Sequence, residues 1–512
     1  MQNISISRII VLMLGLFFAT YILIEAITSR TSVLGRFYLY VAIAAFLTGV
    51  FKPRVAIYAL IFCTAYIDFF KRLMVIAGVP TNFDVMCSLA TPPLLCAGAM
   101  INLLLGAIVR KIKVTRSLIF TFCFASAIMI LAVVTSSGEG ARSFGGLVNF
   151  VAYPFLLVLI PVLFKNTSDK VKLFNFIYVI FVVVALYMIK HGIYGLADFE
   201  YDYLLTNLSQ EVRILVEGDN MRCFSTMNGA GIVSVMCGLM FFWSFVSVVK
   251  RSTLMTFVRS LLAILFATAC YLTLSRTGWL CGIVSIIAYV LFRHWKSTVI
   301  AYFTGISAII LLVVCSPLIK DMKLLERAET ELKFLLKSSD SRLEQATTIG
   351  SFNGRLNGWV NLMTKEKMLT PFGWKMDGQN FKDYDLTELG DDMIFWTIVK
   401  YGYIPVFLGT VFFVTFLYKL HRFVCYLPYE SVERRISTIC LATSIGILSG
   451  GVGNAAQLNV FPVNIYFYLC LSFVYSIYLE RRREVKRGKL VVGYSESESV
   501  LTNRRNQPML SA

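Results

Sequence analysis

Long apolar runs separated by short basic connections recur along nearly the whole chain, and this alternation constrains the fold more than any other feature. A bilayer core about 30 Å thick needs about 20 apolar residues per helix. On that criterion the candidate spans are Ile9–Ala26, Phe37–Val50, Val55–Phe70, Met86–Val109, Ser117–Thr135, Leu147–Phe164, Leu173–Ile189, Ala230–Val249, Leu261–Leu274, Gly278–Phe292, Thr298–Leu318, Met393–Leu417, Ile436–Gly451 and Val460–Leu479. The expected fold is therefore all-α, a polytopic membrane bundle of about 14 transmembrane helices. Composition agrees, because 57% of the residues are hydrophobic and only 15% charged, outside the usual range of water-soluble domains.

The net charge of +18 could suggest nucleic acid, but Lys and Arg sit between the apolar runs, on alternate sides, so no nucleic-acid partner is expected. With the tail Arg481, Arg482, Arg483, Lys486 and Arg487 assigned to the cytoplasm, the loops Lys419–Arg435, Arg293–Lys296, Lys250–Arg259, Lys165–Lys172, Arg110–Arg116 and Lys52–Arg54 also fall inside. That register puts both termini in the cytoplasm. The first run lacks a small-residue cleavage pattern and is followed by Glu25 and Arg30, so it reads as a retained helix. Residues 1–489 form one multi-pass membrane domain, and 490–512 form a polar tail expected to be disordered. No internal repeat is visible, which counts against transporter folds built from duplicated halves.

One large hydrophilic segment interrupts the pattern, at 319–391, and the charge alternation turns it outward. Between Lys320 and Leu389 it carries eleven basic and eleven acidic residues, so it contributes nothing to the excess charge. It reads as an amphipathic helix, Asp321–Phe334, then a short helix, Arg355–Lys367, then a turn-rich return after Pro371. A second outward loop, His191–Asn228, interleaves Tyr194, Phe199, Tyr201 and Tyr203 with Asp198, Glu200 and Asp202. Aromatics among carboxylates suit sugar rings, although aromatics at a membrane interface are the commoner case. Twelve cysteines lie mostly in the apolar runs with no metal-ligand spacing, and the only histidines are His191, His294 and His421.

Several short motifs face outward in this register. "TLSRTGWL" places Arg276 at a membrane edge, where an arginine commonly snorkels, but where its fixed fork can also hold phosphate oxygens. "DNMRCFSTMNGAG" sets Arg222 and Asn228 before the next helix, either as a polar entry loop or as the second half of an anion clamp. "NGRLNGW" and "TPFGW" supply Arg355, Trp359 and Trp374, and the "GDD" before "MIFWTIVKYGYIPV" supplies Asp391 and Asp392, which read as a helix cap or as a general base.

The order of these motifs resembles that of the O-antigen polymerase and O-antigen ligase superfamily, in detail over roughly Arg222–Phe407 and elsewhere only as a hydrophobic profile. The resemblance implies a metal-independent glycosyltransferase without cofactors, acting at the outer face of the bacterial cytoplasmic membrane on polyprenyl-pyrophosphate-linked oligosaccharide. Arg222, Arg276 and Arg355 would grip the pyrophosphate, Asn228, Trp359 and Trp374 would contact the glycan, and Asp391 or Asp392 would deprotonate the acceptor hydroxyl. A chain-length regulator and a flippase are the protein partners implied, beside membrane lipids. Ligases of the superfamily carry a histidine near the end of the large loop, and there is none from Lys320 to Lys400 here, which favours polymerisation. Ligation of a finished glycan to a lipid or protein acceptor and export of lipid-linked oligosaccharide remain the alternatives. A transporter would line its midplane with charge, whereas these runs are almost free of it.

Overall fold

The computed structural model describes residues 33–112, 115–136, 152–206, 216–217, 220–221, 223–246, 253–273, 275–294, 402–451 and 461–486, and the single positions 15, 371 and 398. Over them the chain is all-helical apart from one two-residue antiparallel pairing, Val216–Glu217 with Asn220–Met221. The helices are α1 (Val33–Phe51), α2 (Pro53–Leu73), α3 (Asn82–Ile108), α4 (Arg116–Ser136), α5 (Leu156–Leu163), α6 (Thr167–Tyr194), α7 (Asp198–Leu205), α8 (Ala230–Phe245), α9 (Thr253–Leu272), α10 (Arg276–His294), α11 (Tyr403–Tyr426), α12 (Val432–Gly450) and α13 (Val463–Lys486). Five of them, α3, α6, α9, α11 and α13 over Val463–Arg482, are long and apolar enough to cross a membrane. The expected spans Ile9–Ala26 and Thr298–Leu318 and the segment 319–391 lie outside the described residues, apart from positions 15 and 371.

Local sequence sets the helix limits. Pro53 follows Lys52 and starts α2 at a position where its missing N–H costs nothing. Thr81 and Asp84 close a reciprocal cap on α3, with Asp84 N–H donating to Thr81 Oγ1 at 3.3 Å and Thr81 N–H to Asp84 Oδ2 at 2.8 Å. Where sequence reading put a basic loop, Lys419–Arg435, α11 instead continues to Tyr426 and α12 starts at Val432, capped by Ser431 Oγ. A helix end can carry Lys419 and Arg422 because long cationic side chains reach past the apolar zone. Likewise most of the basic connection expected at Lys165–Lys172 belongs to the start of α6.

Packing is tight where side chains are smallest. A Cβ on Gly238 of α8 would strike the Gly278 carbonyl of α10, and one on Gly49 of α1 would come within 2.7 Å of the Leu95 carbonyl of α3. Glycine at these crossings lets the backbones touch, the usual means of helix association in lipid. Aromatic and hydroxyl pairs fill the rest: Phe174 stacks on Trp243 at 3.8 Å, Trp243 Nε1 donates to Thr443 Oγ1 at 2.9 Å, and Thr64 and Tyr466 hydroxyls meet at 2.6 Å.

Charged side chains gather at two opposite ends of the bundle. At one, Arg54 faces Asp169 at 3.7 Å, Lys170 meets Glu480 at 3.0 Å, Arg481 lies 3.8 Å from Glu433, and Arg293 Nε donates to Tyr429 Oη at 3.1 Å. These contacts join the start of α2, the start of α6, the end of α10, the start of α12 and the end of α13. The opposite end gathers the end of α2, the end of α6, α7, the start of α8 and the junction of α9 with α10.

Candidate functional site

The last two turns of α2 carry charge on the face that is turned inward. Thr64, Asp68, Lys71 and Arg72 recur at helical spacing and are all buried, Arg72 to 3% exposure. Guanidinium burial of this depth demands that each donor be met. Arg72 Nη1 donates to Glu200 Oε1 at 2.5 Å, Nη2 to the carbonyls of Ser225 (2.6 Å) and Met227 (3.1 Å), and Nε to the Asp68 carbonyl at 3.2 Å. Its plane lies 4.7 Å from the Phe224 ring centroid, a cation–π contact.

Glu200 completes the cluster from α7. Its second oxygen accepts the N–H of Ala197, the residue before α7, at 3.1 Å and pairs with Nε2 of His191, in the last turn of α6, at 2.8 Å. Burial alone would raise this carboxyl, but the His191 hydrogen bond, the charges of His191 and Arg72 and the Ala197 amide outweigh it, and its pKa falls below the ordinary value. An ionised Glu200 accepts, so Nε2 of His191 carries a proton, and Nδ1 is buried with no hydrogen-bond partner among the described residues.

The cluster fixes the turn Cys223–Asn228. Ser225 adopts φ 54°, a left-handed conformation rare for a side chain larger than glycine, and is held there by its carbonyl on Arg72 and its Oγ on the Val184 carbonyl at 2.7 Å. Thr226 Oγ1 donates to the Ala65 carbonyl at 2.6 Å, and Cys223 N–H to the Leu272 carbonyl at 3.2 Å. Asn228 follows, half-buried, its Oδ1 accepting from Lys71 Nζ at 2.8 Å. Lys71 also holds Asp68 Oδ1 at 3.0 Å and lies 5.6 Å from the Tyr203 ring centroid. With Oδ1 taken by Lys71, the Asn228 amide has its N–H donors left to turn elsewhere.

Asn228 and Arg276 therefore lie at the same end. Arg276 is the first residue of α10, four residues after Leu272, and Ser234 Oγ stitches that junction to α8 by donating to the Ser275 carbonyl and accepting the Gly278 N–H, both at 3.0 Å. The α11 start belongs there too, since the ring of His421, near the other end of α11, packs against Phe292 at the end of α10. Its Ile404 N–H donates to the Pro371 carbonyl at 3.2 Å, which places Pro371 of the "TPFGW" motif beside it. Arg222, Arg355, Trp359, Trp374, Asp391 and Asp392 lie outside the described residues, as does the Arg276 side chain.

Sequence reading missed Asp68, Lys71 and Arg72, whose signal was the "DFFKR" closing an apolar run on one helical face. It also read the aromatics and carboxylates of the α7 segment as suited to sugar rings, with membrane-interface aromatics the commoner case, and took the preceding runs for nearly charge-free. The structure turns Glu200 and Tyr203 inward and leaves Tyr194, Tyr201 and Asp202 exposed. The buried charges stand at a helix end, where ion pairing and loop carbonyls meet their hydrogen-bonding needs. Among the described residues no His, Cys, Asp and Glu group of three or more gathers to hold a metal. Compared with protein-family models and with curated protein sequences, the chain matches none.

Proposed function

We propose that this chain is a membrane glycosyltransferase that polymerises polyprenyl-pyrophosphate-linked oligosaccharide repeat units at the outer face of a bacterial cytoplasmic membrane. In this reading the chain crosses about fourteen times with both termini in the cytoplasm, and the end holding Arg72 and Asn228 faces outward. The observation that carries it is the gathering of three motif-bearing segments at one end of the bundle: the turn ending at Asn228, the Arg276 helix start, and Pro371 at the start of α11. Arg222, Arg276 and Arg355 would neutralise the leaving pyrophosphate, since fixed guanidiniums stabilise developing charge without reorganisation. Asp391 or Asp392 would take the proton of the attacking hydroxyl. The spans hold both lipid-linked substrates in one plane, which supplies proximity.

The test is the glycan left behind when the gene is deleted. A polymerase defect leaves single repeat units that are still flipped and attached. Long chains retained on the carrier lipid would instead mark a ligase, and single units trapped inside the cell a flippase, and either result overturns the proposal. Full-length protein in nanodiscs with lipid-linked repeat units should build a product ladder, which Arg276→Lys shortens because lysine lacks the bidentate fork.

A further inference from the structure

The end of the bundle opposite Arg72 holds cations of two kinds. Arg54, Lys170, Arg481 and Arg435 each face a carboxylate: Asp169, Glu480, Glu433 with Glu484, and Glu430. Arg293, Arg422 and Arg434 do not, among the described residues. Instead, Arg293 and Arg434 converge on one aromatic ring, their guanidinium carbons 5.4 and 5.1 Å from the Tyr429 centroid. Arg293 donates to the hydroxyls of Tyr429 and Tyr289, Arg434 to the Leu427 carbonyl, and Arg422 to the Tyr426 hydroxyl. Neutral oxygens satisfy some donors but none of the charge. Two guanidiniums sharing one ring repel each other, and in a half-buried setting solvent screens that repulsion only partly.

The neighbouring surface says what kind of anion fits. Val411, Val414, Tyr418 and Arg422 recur along one face of α11 and are all exposed, and little of the apolar stretch of that helix is buried. An apolar track therefore runs along the bundle wall and ends in guanidinium and tyrosine groups. We infer that Arg293 and Arg434, with Arg422 at the rim, bind the phosphodiester headgroup of an anionic phospholipid whose acyl chains lie along the exposed face of α11. The site is separate from the sugar chemistry proposed above and needs only that the chain sit in a membrane.

Full-length protein in phosphatidylcholine nanodiscs, with and without phosphatidylglycerol, tests this by native mass spectrometry of the released complexes. Each surface cation contributes roughly fivefold to anionic-lipid affinity, so Arg293→Gln with Arg434→Gln should weaken phosphatidylglycerol retention about twenty- to thirtyfold. Arg481→Gln, at the same end but already paired with acids, should leave retention unchanged. Equal retention by the double variant and wild type overturns the inference. So does competition by inorganic phosphate alone, which would mean a soluble-anion site. Should the double variant fail to fold, wild-type protein with a photoreactive phosphatidylglycerol decides. Adducts on Tyr289–Arg293 or Arg422–Arg434 support the site, and adducts confined to other segments overturn it.

Discussion

The two polar ends of this bundle treat charge in opposite ways. At the Arg72 end, Arg72, Glu200 and His191 are sealed, with side chains exposed by no more than 4%, and backbone carbonyls and an amide add hydrogen bonds to Arg72 and Glu200. At the other end, pairs such as Arg54–Asp169 keep at least one partner in solvent, the Arg54 side chain being 58% exposed. Exposed pairs add little stability and tolerate motion, whereas a buried one is costly to build and more costly to break. The sealed cluster is therefore better explained by shape than by stability: it holds the Cys223–Asn228 turn, including the left-handed Ser225, in one conformation. A site that must present Asn228 in a fixed pose has reason to sit on such a base.

The comparison breaks first at Arg72. Replacing it with Met removes the charge while Glu200 stays buried, an arrangement that costs about 3–5 kcal/mol. The unfolding temperature in detergent should fall further than for Lys170→Met or Arg435→Gln at the opposite end. Buried Cys223 should become reactive to maleimide, while Cys440 in the α12–α13 core stays protected. Labelling of both would mean global unfolding, and labelling of neither would mean the turn does not depend on Arg72.

Acid acts on the same cluster. Because folding lowers the Glu200 pKa, its contribution is fully present above the ordinary glutamate value of about 4.3 and is lost as pH falls through the lower folded value. Wild type should therefore lose stability on acidification below about pH 4 more steeply than Glu200→Gln, which has no proton to gain there. Parallel pH profiles for the two proteins would show that Glu200 is not ionised in the fold.

Much of this architecture can be read from the sequence, and what cannot follows a physical pattern. Apolar runs such as Leu173–Ile189 and Val460–Leu479 coincide with α6 and α13 because lipid-facing and buried positions both demand apolar side chains. The helical continuation through Lys419 and Arg422 is hidden, since charge density looks like a loop when the helix simply extends beyond the apolar zone. Asn228 is legible as a loop residue before a helix, but its partner Lys71 is 157 positions away, and no local pattern links them. Glu200 is hidden differently: the period of α7 turns it inward and leaves Tyr201 and Asp202 outside, a choice set by Arg72 on another helix.

At the opposite end, Lys170 sharpens the contrast. It is fully buried, yet its acid Glu480 is 34% exposed on the side chain, and Lys170 Nζ also donates to the Lys165 carbonyl at 3.0 Å. Lys170→Met keeps the buried chain length and releases Glu480 to water, so no charge is stranded. A loss of about 1 kcal/mol is expected, well short of the Arg72 effect. A drop as large as that of Arg72→Met would show that this end is sealed as well.

The smallest effect belongs to Arg435 and Glu430. The pair is close, at 2.5 Å, but the Glu430 side chain is 73% exposed, and holding two long side chains together costs entropy that solvent-screened attraction barely offsets. Arg435→Gln should change stability by no more than about 0.5 kcal/mol, and whatever effect it has should vanish in high salt. The effect of Arg72→Met should persist in the same salt, because a sealed pair is screened far less. Unfolding curves of both variants at low and high ionic strength therefore test the difference between the two ends directly, and an equal salt response would mean that the Arg72 cluster is open to solvent.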